Sequence, residues 1–258
     1  MTKSRTVLIT GGSSGIGAAL ARRYGANGWR VLITGRDLTR LASVVDSVRH
    51  AGGWADGVKL DVTSRSEMKR YIEQNDAQAP IDLVIANAGI SAGSGARGES
   101  AEQARRIFAT NLDGVLNTLQ PIIPVMQKRG RGQIALVSSL AAFRGFPGAP
   151  AYSASKAAVK AYGEALRGAL RSDGIRVNVI CPGFVESAIT DANDFPMPMF
   201  MKADKAAAII ARGLEKNTGR IAFPFPMYFA SWLMGSMPAG LSDFVVSRLP
   251  AKGAEKDG

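Results

Sequence analysis

Short runs of β-branched and aliphatic residues alternate along the chain with longer stretches in which apolar positions recur every three or four residues. The runs predict strands at residues 6–10, 30–34, 58–60, 81–86, 133–138, 176–180 and 220–223. The longer patterns predict helices near 16–27, 38–50, 64–77, 101–128, 153–172 and 203–216. Runs such as Val7-Leu8-Ile9 and Leu83-Val84-Ile85 show no polar alternation. A strand that is apolar on both sides is covered on both sides, which in an alternating β/α chain means a parallel sheet between two layers of helices. The class is therefore α/β, with a single doubly wound sheet of about seven strands. No linker, charge block or internal repeat divides it.

Composition narrows the choice of partners. The 258 residues are 46% hydrophobic and 21% charged, which excludes a disordered chain and is enough for one sizeable core. One cysteine (Cys181) and one histidine (His50) exclude an intramolecular disulfide and a Cys/His zinc site. The single cysteine fits a reducing compartment, and the opening MTKSRTVLITGG has an apolar run too short for a secretory leader, so a cytoplasmic location is expected. The net charge of +11 attracts anions. Its cations are scattered, the densest group being Lys128, Arg129 and Arg131, and no helix-turn-helix or aromatic-plus-basic pattern accompanies them. Sequence-specific nucleic-acid binding is therefore not expected. A phosphate-bearing cofactor fits better.

The first strand runs into Thr10-Gly11-Gly12-Ser13-Ser14-Gly15-Ile16-Gly17 and then a helical pattern. A glycine-rich turn between strand and helix presents backbone N–H groups at the positive end of the helix dipole, where a pyrophosphate binds. That makes the fold Rossmann-type. The same residues spell G-x-S-x-G (Gly11, Ser13, Gly15), the nucleophile elbow of a hydrolase, but that reading needs a late histidine and the only one is His50. An NAD site calls for an acidic residue near the end of the second strand. Here Gly35 is followed by Arg36, whose guanidinium suits a 2′-phosphate, and Asp37 is placed to cap the next helix. The cofactor expected is NADP(H) rather than NAD(H).

Tyr152 and Lys156 stand four apart on a predicted helix, so they share a face. An ammonium beside a phenol favours the phenolate and lowers its pKa, which makes Tyr152 usable as an acid or base near neutrality. Ser139, at the end of a strand, can hydrogen-bond an oxygen that develops negative charge.

Together these residues resemble the classical short-chain dehydrogenase/reductase family over about residues 5–225. Gly11, Ser13, Ser14, Gly15, Ile16 and Gly17 match its TGxxxGxG loop, Asp61 and Val62 its adenine-side pair, and Asn87-Ala88-Gly89 its NAG motif. Asn111 matches the helix asparagine of its proton relay. Ser139, Tyr152 and Lys156 match its catalytic serine and YxxxK, and Pro182-Gly183 matches the turn after its sixth strand. The resemblance implies hydride transfer between NADP(H) and a carbonyl or secondary alcohol. By the same token Tyr152 exchanges the proton, Ser139 orients the substrate oxygen, Lys156 binds the nicotinamide ribose and depresses the Tyr152 pKa, and Asn111 holds the relay water. Val185 would approach the nicotinamide, and Ser187 stands where the family often has threonine. The intact set argues against the alternative of a catalytically silent, cofactor-binding scaffold.

Two regions depart from the family's pattern or extend it. Asp194-Phe195-Pro196-Met197-Pro198-Met199-Phe200-Met201 reads as an apolar lid over a hydrophobic, lipid-like substrate, or else as core filling, and Phe143 and Phe146 are expected to line the same pocket. Many bacterial members end soon after the last strand, whereas here residues 226–258 follow as an apolar C-terminal extension to the 1–225 catalytic domain. Residues 221–242 carry no charge. Pro224, Pro226, Pro238, Gly235 and Gly240 interrupt the stretch too often for a spanning helix. Such a segment needs a cover: the protein's own core, a second copy in a homo-oligomer, or, through residues 226–249, peripheral contact with an anionic membrane surface.

Overall fold

The computed structural model describes residues 4–91, 99–191 and 196–246. Seven parallel strands form one sheet in the order β3-β2-β1-β4-β5-β6-β7. They are β1 (Thr6–Thr10), β2 (Arg30–Gly35), β3 (Trp54–Lys59), β4 (Ile81–Ala86), β5 (Gly132–Val137), β6 (Ile175–Pro182) and β7 (Arg220–Phe223). The order reverses between β1 and β4, and such a reversal opens a crevice at the carboxyl ends of the strands.

The apolar runs are buried as their lack of alternation requires. Val7, Leu8, Ile9, Val84 and Ile85 are fully covered. On one face α1 (Gly15–Ala26), α2 (Leu38–His50) and α9 (Ala203–Glu215) contribute Leu20, Val44, Ala206 and Ile210 to a core. On the other, α3 (Arg65–Gln78), α5 (Gly114–Leu119), α6 (Ile123–Arg129) and α7 (Pro150–Ala169) contribute Met68, Ile72, Leu119, Met126 and Val159.

Three expectations need correction. The third strand begins at Trp54 rather than at residue 58. As an edge strand paired only with β2, it lacks the continuous apolar run by which inner strands are recognised, and Trp54 lies half-exposed under the Arg30 guanidinium, 4.6 Å from its ring centre. The helix expected over 101–128 is four pieces: α4 (Ala101–Phe108), a wider π turn at Ala109–Asp113, then α5 and α6. Pro121 has no N–H and its ring clashes with the preceding turn, which separates α5 from α6. The third correction concerns the charge-free stretch, which continues past β7 into α10 (Phe225–Ser236) and α11 (Ala239–Val246). The core covers only part of it: Ile221 and Phe223 are buried and Met227 and Tyr228 pack on the Leu140–Cys181 cluster, whereas Phe225, Phe229, Trp232, Leu233 and Leu241 remain exposed, as does Phe244 just beyond it.

Candidate active site

The glycine loop leaves β1 and enters α1 beside the strand-order reversal. Gly11 and Gly15 take positive φ, +64° and +51°, a region that L side chains rarely adopt. Gly17 is set by space instead, since a Cβ there would lie 2.3 Å from the Gly11 carbonyl oxygen. Asn87, just past β4, holds the loop from below: its Nδ2 donates to the carbonyls of Thr10 and Gly11, each at 3.0 Å. The Thr10 hydroxyl in turn accepts from the Asn87 and Ala88 amides. The NAG segment therefore shapes the loop through hydrogen bonds. Gly89 lies where a Cβ would be 3.2 Å from both the Asn111 Oδ1 and the Lys156 Nζ, so glycine there lets these three elements meet.

A cleft of about 460 Å³ opens on the outer side of the loop, lined by Ser13, Ser14, Ser43 and Ser187 together with Arg22 and Arg40. Hydroxyls, cations and a glycine loop at a helix start suit a nucleotide phosphate, and the carboxylate in the lining, Glu186, is paired with Lys202 at 2.9 Å. The residues present therefore fit a dinucleotide. Arg36 is exposed just past β2 and is not among the lining residues. Arg40, which motif reading missed, is. Asp37 caps α2 as expected, accepting from the Arg40 amide at 3.0 Å, and its carboxylate also pairs with the Arg40 guanidinium at 2.7 Å. The signal was present in the sequence, a second cation one helical turn after Arg36 in the first turn of a helix, where acidic residues are the favoured choice. Ser13, the nucleophile of the hydrolase reading, lines this cleft, while His50 lies at the far end of α2 with its Nδ1 2.7 Å from the Asp46 carbonyl.

Asp61 and Val62 follow β3. The Asp61 carboxylate accepts from the amide and hydroxyl of Thr63, both at 2.9 Å, and Val62 is buried against Gly114.

Ser139, Tyr152, Lys156 and Asn111 converge from β5, α7 and the π turn. Lys156 is buried, and its Nζ donates to the Val137 carbonyl at 3.0 Å. Burial brings the Lys156 pKa down to about 8, against a smaller opposing influence from Cys181. Its Nζ stands 5.8 Å from the centre of the Tyr152 ring. Among the chain's own groups, burial is the dominant influence on Tyr152 and pushes the phenol up, while the Ser139 hydroxyl beside it pulls it down. Lys156 is not among these influences, and taking a phenolate out of water costs more than the Ser139 hydroxyl returns.

Asn111 is fully buried, and all its side-chain bonds go to protein. Nδ2 donates to the Ile90 carbonyl and the Ser155 hydroxyl, both at 3.0 Å, and Oδ1 accepts from the Ile90 amide at 2.8 Å. Ser155 passes the contact on, donating to the Tyr152 carbonyl at 2.8 Å. Ser155 was also missed, although it sits inside the Tyr152–Lys156 motif. A hydroxyl that works through the backbone of its own helix looks like any surface serine in a linear sequence.

Beyond β6, the Gly183 amide donates to the Phe223 carbonyl, and Val185 is buried beside Met201 in a short bridge. The Ser187 hydroxyl is occupied locally with Thr190, which closes the turn into α8 (Ala188–Asp191). Of the expected lid, Met201 fills the core while Met199 and Phe200 are exposed, and Asp194 and Phe195 lie outside the described residues. Phe143, partly buried after the Ser139 turn, packs edge-on against Tyr228 of α10.

This geometry agrees with the relationships of the chain. Residues 5–195 match the family described as short chain dehydrogenase. An uncharacterized oxidoreductase of Myxococcus xanthus (strain DK1622) is 39% identical over 246 residues, 95% of this chain and 97% of its own. The ketoacyl reductase HetN of Nostoc sp. is 35% identical over 182 residues, 70% of this chain and 63% of its own. The crystal structure of a short chain dehydrogenase/reductase from Burkholderia phymatum in complex with NAD superposes with a TM-score of 0.82, covering 98% of this chain and 99% of that one at 23% identity. The chain belongs to the short-chain dehydrogenase family. It is an oxidoreductase with a nucleotide-binding Rossmann fold, of the kind that acts on CH–OH or ketone groups.

Proposed function

We propose that this chain reduces a hydrophobic, lipid-like ketone, or oxidises the matching secondary alcohol, with NADP(H) as its cofactor. The observation that carries the reading is the meeting of Ser139, Tyr152 and Lys156 beside a glycine loop whose outer cleft is lined with hydroxyls and arginines. Gly11, Ser13, Ser14, Gly15, Ile16 and Gly17 would hold the pyrophosphate side of the cofactor, Arg36 and Arg40 a 2′-phosphate, and Asp61, Val62, Asn87, Ala88 and Gly89 the adenosine and the floor of the cleft. Lys156, Pro182, Gly183, Val185 and Ser187 would border the nicotinamide. When bound, the cofactor supplies the hydride.

The protein's own task is the proton and the alignment. Tyr152 gives its proton to the carbonyl oxygen, or takes one from the alcohol, and Ser139 hydrogen-bonds the same oxygen. The raised phenol keeps its proton near neutrality, which favours the donating role. Lys156 stays cationic below its pKa of about 8 and stabilises the phenolate once the proton has left. Because the Asn111 side chain is spent on protein, its part in a relay falls to its backbone carbonyl in the widened turn.

We assign residues 1–225 to the catalytic domain, in the cytoplasm, and give residues 226–258 a surface role. Phe225, Phe229 and Trp232 form a ladder with ring centres 6.4 Å and 5.9 Å apart, exposed on a stretch without charge. No helix among the described residues is long and apolar enough to cross a membrane. A short aromatic face on a chain of net charge +11 suits the interface of an anionic bilayer. Burial in a homo-oligomer is the competing outcome.

The functional test is a panel of hydrophobic ketones, β-ketoacyl thioesters included, assayed with NADPH and NADH. The expected result is turnover with kcat/KM at least about tenfold higher for NADPH, ~1.4 kcal/mol of preference. Cofactor binding without turnover on any carbonyl would restore the silent-scaffold reading, and equal use of the two cofactors would remove the NADP assignment.

A further inference from the structure

Along α7, Tyr152, Lys156, Lys160 and Glu164 follow one another at intervals of four, so the candidate catalytic pair continues into a charged pair on neighbouring turns. Lys160 Nζ lies 3.1 Å from Glu164 Oε2. The other Glu164 oxygen takes the Arg220 guanidinium from β7, with Nε at 2.9 Å and Nη2 on the same oxygen. Arg220 Nη1 donates to the Tyr228 hydroxyl of α10 at 3.4 Å. Two cations from different elements are thus fixed by one half-buried carboxylate.

What they surround is a ring. Phe143 lies with its centre 5.2 Å from Lys160 Nζ and 5.4 Å from the Arg220 guanidinium carbon, and its third neighbour is the edge-on Tyr228 ring at 5.4 Å. Phe143 closes the short 3₁₀ turn Leu140–Ala142 that follows Ser139 directly. The backbone of this turn is also closely approached by α10, where a Cβ on Gly235 would stand 2.1 Å from the Phe143 carbonyl oxygen. Leu140, Cys181, Met227 and Tyr228 pack beneath it.

We propose that Phe143, clamped by Lys160, Arg220 and Tyr228 and secured by Glu164, is a positioning residue that fixes the Ser139 turn against α7. On this view α10 is a buttress of the candidate active site. Ser139 and Tyr152 come from separate elements, and a reacting oxygen must be met by both at once. A cation over a ring face is attracted by the ring quadrupole, and two cations together with an edge-on ring restrain Phe143. This inference rests on the functional reading for its kinetic consequence but not for its structural one.

The test compares Phe143→Leu, which keeps an apolar side chain but has no ring face, with Phe143→Tyr, which keeps the face, and adds Glu164→Gln. Hydrogen exchange read on the peptide spanning residues 139–146 should quicken by about tenfold or more in Phe143→Leu and Glu164→Gln, with the peptide spanning residues 10–17 unchanged. Phe143→Tyr should exchange like the parent. On a carbonyl turned over by the parent, kcat should fall by about tenfold in the first two variants with cofactor affinity unaltered, and Phe143→Tyr should restore it. Parental exchange at 139–146 in Phe143→Leu, or a rise shared equally by every peptide, would overturn the proposal. Should the parent turn over no carbonyl at all, the functional reading falls and the exchange result decides this one alone.

Discussion

At β1 the chain faces its expected ligand with backbone: three glycines, two of them in a left-handed conformation, and hydroxyls around an open cleft. At β7 it builds with side chains. Glu164, Arg220, Phe143 and Tyr228 come from α7, β7, the turn after β5 and α10, and they meet because the sheet brings its edge under α7. The first region has to bind a group of fixed shape, for which aligned N–H groups and a helix dipole suffice. The second holds a turn in place beside Ser139 through contacts between side chains of four elements. Backbone sites tolerate little variation, because a Cβ on Gly17 meets a carbonyl at 2.3 Å. Side-chain clamps can be rebuilt from other residues.

The comparison breaks most sharply at the residue between the two regions. Tyr152→Phe should lose about 10²- to 10⁴-fold in kcat on a verified carbonyl while holding cofactor as tightly as the parent, since the ring stays and only the proton donor goes. A variant keeping more than half the parental rate would show that another group supplies the proton.

Substitutions at the β1 end should change binding and leave the chemistry alone. Arg36→Ala is expected to weaken NADPH by one to two decades, about 1.5–3 kcal/mol for a charge-assisted bond, with NADH nearly unaffected. Arg40→Ala sharpens this. A loss for NADPH alone would place the 2′-phosphate toward the cleft, whereas no loss would leave Arg40 as a partner of Asp37 only.

At the other end the outward aromatic ladder can be changed without touching the clamp. Phe229→Ser with Trp232→Ser should abolish pelleting with anionic vesicles at low salt, and the parent should stay in the supernatant with vesicles of neutral lipid. A parent that never pellets but sediments as a concentration-dependent dimer, lost in the double variant, would assign the same face to a second copy of the chain.

The smallest effect concerns pH. Lys156 has its folded pKa near 8, below the roughly 10.4 of an unfolded lysine, so between these values the unfolded chain binds more protons. Stability held back at lower pH is therefore regained as pH rises through this window. Denaturant unfolding should show the advantage of Lys156→Met over the parent shrinking from pH 8 to pH 10.5. Taking the difference between the two proteins cancels the opposite slope from Cys181, whose thiol burial pushes up to about 12. A constant difference would mean that Lys156 is not held in a dry site.

Much of this was readable from the linear sequence because its causes are local. Apolar runs without alternation gave the covered strands, and a glycine turn between strand and helix gave the phosphate loop, since backbone conformation answers to nearby residues. Asn87, Tyr152 and Lys156 could be named because they keep fixed spacings from those elements. The edge strand at Trp54, the division of the 101–128 helix and the exposure of α10 could not be read the same way. Each depends on what lies alongside: one paired neighbour for β3, a wider turn around Asn111, and a helix face that neither core reaches.

The sequence by itself thus determined the class of fold and the glycine turn between β1 and α1, which follow from short-range conformation, while the resemblance to the family singled out Ser139, Tyr152 and Lys156 as the candidate group. Tertiary structure alone decided that the Asn111 side chain is spent on Ile90 and Ser155, and that burial rather than Lys156 governs the Tyr152 phenol. It also decided that Phe143 turns to Lys160 and Arg220. These depend on desolvation and on contacts between residues tens of positions apart, and neither can be read until the chain has closed on itself.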